Sequence, residues 1–95
     1  MPQIEIESRP TIKKVERAIA SLFDYELQKV TNKCVYFFLN GVSDGWNENT
    51  TVKILCSRAA DATWLDIGVG CETVRAEQIL SQIKNEIEKW DTLIP

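Results

Sequence analysis

Cys34-Val35-Tyr36-Phe37-Phe38-Leu39 is the most apolar run in the chain, six consecutive residues of the apolar class with no glycine or proline among them. Its aromatic and β-branched content marks it as a strand. Because every position is apolar, the run predicts a central strand covered on both faces, or an edge that meets a partner. The residues that follow, Asn40 to Thr50, are polar and contain Gly41, Asp44-Gly45 and three asparagines. They predict the long tip of a hairpin. On its far side Val52, Ile54 and Cys56 alternate with Thr51, Lys53 and Leu55, the period-two pattern of a second strand.

Toward the C-terminus, residues 57–63 predict a turn with a short helical piece around Ala59-Ala60-Asp61-Ala62. Trp64-Leu65-Asp66-Ile67-Gly68-Val69 predicts a further strand, with Leu65, Ile67 and Val69 on one face and Asp66 exposed on the other. Trp64 opens this strand and is placed to cover an edge. Gly70-Cys71-Glu72-Thr73 breaks it. Ala76, Ile79, Leu80, Ile83, Ile87 and Trp90 then recur at spacings of three and four, so a second helix starts at Glu72 or Thr73 and Asp91 to Pro95 end it. Trp90 continues the apolar stripe and belongs to the core. Glu77 sits early, where the helix dipole favours an anion.

Toward the N-terminus, Tyr25 to Val30 is β-compatible, and Thr31-Asn32-Lys33 forms a short turn into Cys34. Ile12, Val15, Ile19, Leu22 and Phe23 give an amphipathic helix over residues 10–23, with Pro10 suited to its first turn. Gln3-Ile4-Glu5-Ile6-Glu7 alternates strictly and predicts a short half-buried strand.

The order is therefore β-α-β-β-β-β-α. It predicts a single α+β domain over residues 1–95, an antiparallel sheet of four or five strands with two helices packed on one face. No repeat, linker or low-complexity tract interrupts it.

Composition narrows the function classes. The chain has 95 residues and a net charge of −3, with 44% apolar and 26% charged residues. A general nucleic-acid binder needs a basic surplus to displace counterions from phosphate, and the chain has none. The charge is uneven, however: residues 1–33 carry six basic and five acidic side chains, residues 34–95 five basic and nine acidic. There is no histidine, which excludes Ser-His-Asp and Cys-His catalysis. Cys34, Cys56 and Cys71 form no C-x-x-C pair and are odd in number, so reduced thiols in a cytoplasmic protein are expected, with neither metal nor cofactor. No run reaches the ~20 apolar residues of a membrane span, and Met1 to Arg9 lack the features of a secretory signal.

Four constellations are candidates for function. Trp46, with Asn47 and Glu48, stands in a polar loop, where a large aromatic either folds back onto the core or meets a partner. Lys13, Lys14 and Arg17 gather on the first helix, Lys13 and Arg17 four residues apart on one face, and either form a solvated helix face or receive an acidic partner or a phosphate. Gly68-Val69-Gly70-Cys71 with Thr73 forms a strand-to-helix turn that can receive an anion or carry a reactive thiol at Cys71. Asp61 and Asp66 flank Trp64 but lack an identifiable partner for acid–base work.

The expected function is a small non-catalytic binding or adaptor module acting through protein–protein contact, with a homodimer as one form. The alternative is a small-ligand or anion-binding protein that uses the turn from Gly68 to Cys71.

Overall fold

The computed structural model describes residues 2–93. Its strands are β1 (Gln3–Ile6), β2 (Asp24–Thr31), β3 (Cys34–Val42), β4 (Thr50–Arg58) and β5 (Thr63–Ile67). They form one antiparallel sheet in the spatial order β1-β5-β4-β3-β2. The helices α1 (Ile12–Leu22) and α2 (Thr73–Leu93) cover one face of it. This is the α+β arrangement, with five strands and two helices, that the patterning predicts.

The core lies between that face and the helices. Val35, Phe37 and Leu39 of β3, Val52, Ile54 and Cys56 of β4, and Leu65 and Ile67 of β5 point into it. Val15, Ala18 and Ile19 of α1 meet them, together with Ala76, Ile79, Leu80, Ile83 and Ile87 of α2. The three-and-four spacing of the helices and the two-residue spacing of the strands each deliver one apolar face to this layer.

The chain reaches α1 through a tight reversal at Arg9, whose φ is +52°. Its amide donates to the Ile6 carbonyl at 3.1 Å, and its Nε donates to the Ala59 carbonyl at 2.6 Å. Arg58 Nη2 donates to the Arg9 carbonyl at 3.2 Å, so the left-handed conformation is held from three sides. Helix α1 begins later than its apolar pattern suggests. Thr11 is the N-cap, its Oγ1 accepting from the Lys14 amide at 3.2 Å, and Pro10 precedes the helix. The Pro10 carbonyl instead accepts from the buried Thr63 hydroxyl at 2.8 Å.

Several expectations are corrected. β3 is not covered on both faces. Val35, Phe37 and Leu39 are buried, whereas Cys34, Tyr36 and Phe38 lie half-buried on the side away from the helices. β3 and β4 run on into the hairpin, so the loop shrinks to residues 43–49, and a register shift between Asn40 and Val42 accommodates Gly41 at φ +70°. No helix forms at residues 59–62; the Ala59 amide closes a turn on the Ala62 carbonyl at 2.8 Å. β5 stops at Ile67, leaving Val69 outside the sheet and 99% exposed. α2 runs past Trp90, which is half-buried rather than in the core; residues 94 and 95 of the expected stop lie outside the described residues. Its first turn starts at Thr73, so Glu77 falls beyond the dipole-favoured positions.

Candidate functional site

The hairpin tip between β3 and β4 is built around Asp44. Asp44 Oδ1 accepts from the amides of Trp46 at 2.8 Å and Asn47 at 2.6 Å. The Asp44 amide in turn donates to the Asn47 carbonyl at 3.1 Å. This is an Asx-type turn, in which a short carboxylate substitutes for a missing main-chain acceptor. The Asn47 and Trp46 amides hold the Asp44 carboxyl below the usual carboxylate range. The tip is also fastened to α2. The Glu72 amide donates to the Asp44 carbonyl, and Arg75 Nε donates to the Ser43 carbonyl at 2.9 Å.

Gly45 completes the junction. Its φ is +96°, and a Cβ there would meet the Glu72 side chain, with Oε2 at 2.7 Å. Only glycine satisfies both the conformation and the contact. On this fixed backbone Trp46 does not fold onto the core; it is 66% exposed, with Asn47 and Glu48 exposed beside it. A large aromatic in a polar loop made Trp46 a candidate, but the role of Asp44 as its anchor was not apparent from spacing alone.

The turn after β5 has a different character. Gly70 takes φ +99°, and space around it is open. Cys71 is buried, and burial, reinforced by Asp44 and then opposed by Arg75, pushes its thiol up. Glu72 raises it further. A nucleophilic thiol requires the opposite shift. The Glu72 amide at the start of α2 is already occupied by Asp44, and the Glu72 carbonyl accepts from Ala76 at 2.8 Å. Thr73 is exposed. Two carboxylates near this helix end oppose an incoming anion.

The basic side of α1 is open. Lys13 and Arg17 are exposed and Lys14 half-buried. They line a groove of about 680 Å³ between α1 and β2, together with Glu16 and Tyr25. The Tyr25 hydroxyl donates to Glu16 Oε2 at 2.8 Å, and this bond to the carboxylate raises the phenol above its ordinary value.

Sequence reasoning named Trp64 and Asp66 but not the residues with which they share the outer face of the sheet. Register places Gln28, Tyr36, Leu55, Asp66 and Gln3 in one row across it, with Phe38 beside Lys53 in the next. Lys53 Nζ lies 4.1 Å from the Tyr36 ring centroid and 6.0 Å from that of Phe38, a cation–π arrangement. Tyr36, Lys53, Leu55, Asp66, Gly68 and Val69 line a depression of about 260 Å³. Asp66 is half-buried there rather than exposed, and desolvation raises its carboxyl. Trp64 sits on the same face, between Ser57 and Glu5. The signal was available: β4 alternates openly, and pairing it with β3 puts Tyr36 and Phe38 beside Lys53 and Leu55.

Among the described residues no cluster of Cys, Asp and Glu could hold a metal ion, and no helix is long and apolar enough to cross a membrane. No family model, curated protein or solved structure matches this chain.

Proposed function

We propose that this chain is a non-catalytic binding module that acts through protein–protein contact, with Trp46 as its anchor. The observation that carries this reading is the combination of side-chain exposure and backbone restraint at one residue. Trp46 is 66% exposed, yet its amide is bonded to Asp44, which is itself tied to α2. Exposing an indole to water is unfavourable, and a residue whose backbone is already ordered loses less conformational entropy on docking. Tryptophan is enriched among residues that dominate binding energy. Asn47 and Glu48 supply the polar rim around it, and a second copy of the chain is one partner such a surface suits.

The test is affinity capture of the tagged chain from its own cells, followed by native mass measurement of the complex. A stoichiometric second protein, or a second copy, supports the reading when Trp46→Ala abolishes its recovery without loss of fold. Recovery of the lone chain at monomer mass overturns it.

The depression on the outer face favours a second reading, a small-ligand site. Tyr36 and Leu55 line it together with a cation, Lys53, and a carboxylate, Asp66. The Gly68 end of the turn contributes to it, while Gly70, Cys71 and Thr73 are not among its lining. A ligand at a hundredfold excess over its Kd stabilises the fold by ~2.7 kcal/mol, visible as a thermal shift that Asp66→Asn removes.

A further inference from the structure

β2 is an edge strand: among the described residues it pairs only with β3. It runs for eight residues, and all but Tyr25 are exposed, Leu27 at 39% and Val30 at 53%. An edge of this length carries a row of main-chain donors and acceptors with no strand to receive them. Its pairing with Leu39, Phe37 and Val35 turns Tyr25, Leu27 and Lys29 toward the helix side. On that side lies the groove lined by Lys13, Lys14 and Arg17. The single carboxylate in its lining, Glu16, already accepts from the Tyr25 hydroxyl.

We infer that the β2 edge and the α1 groove together receive an extended acidic segment of a partner protein as a sixth strand. This rests on the reading of the domain as a protein-binding module and adds a second surface with its own chemistry. Main-chain bonds to β2 supply affinity, and side chains on the helix side supply selectivity. The residue opposite Leu27 is apolar. Those two positions to either side are acidic, one meeting Lys29 and the other reaching over Tyr25 to Lys13 and Arg17. The pattern acidic-x-apolar-x-acidic reads the same in either strand direction.

Charge selects this occupant over a second copy of the chain. Antiparallel self-pairing centred on Leu27 keeps each face matched, but it sets Lys29 of the copy opposite Tyr25. That brings a further cation into a groove already lined by Lys13, Lys14 and Arg17, and like charges so placed are destabilising.

The test is an amide-shift titration of the full chain with a capped peptide carrying Glu-Thr-Val-Thr-Glu. The Lys-Thr-Val-Thr-Lys peptide and a proline-for-valine version serve as controls. The expected result is shifts confined to Asp24–Thr31 and the Lys13–Arg17 turn, weakened by salt and absent with both controls. Lys13→Glu with Arg17→Glu should weaken binding about tenfold, the cost of losing two exposed ion pairs. Trp46→Ala should leave it unchanged. No shift in β2, or equal binding of the proline peptide, overturns the inference; the second result would mean a bare polyanion site. If the titration fails while Trp46-dependent capture persists, only this inference falls. If the titration succeeds and capture does not depend on Trp46, only the role given to Trp46 falls.

Discussion

The main-chain amide of Glu72 donates to the carbonyl of Asp44 at 2.6 Å, joining the tip of the β3–β4 hairpin to the first turn of α2. The loop that displays Trp46 is thereby part of the folded body. Asp44 carries two jobs at once, its carbonyl holding α2 and its carboxylate holding the Trp46 and Asn47 amides.

Asp44→Ala should therefore release the loop while leaving the sheet intact. The Trp46 and Asn47 amide resonances should lose their dispersion, and partner capture should fall as far as in Trp46→Ala, roughly thirtyfold for a dominant anchor. The pH response has a defined sign. Because the folded carboxyl lies below its ordinary value, its contribution is present above the usual carboxylate range and is lost as pH falls through the lowered value. Amide shifts of Trp46 and Asn47 that titrate above that range would refute the assignment.

Gly45→Ala should cost about 1 kcal/mol or more from its positive φ alone. The clash with Glu72 adds to this. Glu72 then offers a control. In a chemical-denaturation cycle, shortening Glu72 to Ala should recover only a little, since the Cβ is among the atoms met, and Glu72→Gly should recover more.

Phe37 and Phe38 are chemically identical neighbours with opposite fates. Phe37 is fully buried in the core, and Phe37→Ala should cost roughly 3–5 kcal/mol. Phe38 lies half-buried on the outer face, so Phe38→Ala should cost much less. Urea unfolding of the two variants compares them directly, and equal losses would contradict the side assignment.

The thiols should differ in native alkylation. Burial, reinforced by Cys34, pushes the Cys56 thiol up to about 12, with Arg58 opposing. Cys71 is raised as well, whereas Cys34 is partly accessible. Cys34 should react first and Cys56 last. A raised thiol also makes alkaline pH destabilising: between the unfolded value and about 12 the unfolded chain has lost a proton that the folded chain keeps. Stability should fall there by up to about 1.4 kcal/mol per pH unit from this group. Cys56→Ala should flatten that part of the profile.

Much of the architecture was legible because burial imposes a period. The alternation Gln3-Ile4-Glu5-Ile6-Glu7 and the stripe from Ala76 to Ile87 could be read directly, and both elements formed. β3 misled because its outward residues, Tyr36 and Phe38, are as apolar as its inward ones; no period survives in such a run. Trp90 misled for a related reason, since a residue in phase with a stripe can still lie past the end of the core. The exposed Trp46 was marked by its loop context, but the bond that ties its anchor Asp44 to α2 comes from the Glu72 amide across the fold. Spacing within one segment carries no record of such a pairing. The groove beside Tyr25 was half visible, as a basic helix face, and became a site only when β2 proved to be an edge.

The placement of β1 has a consequence for synthesis. β1 pairs with β5, not with its neighbour in the chain, Ile4 lying opposite Leu65. On the ribosome β1 emerges well before β5, so its hydrogen-bonding partner does not exist until β5 has been translated. The β2–β3–β4 meander can assemble from neighbouring segments as they appear. The β1 residues must wait, with Ile4 and Ile6 unshielded, so between the synthesis of β1 and that of β5 this segment is open to chaperone capture.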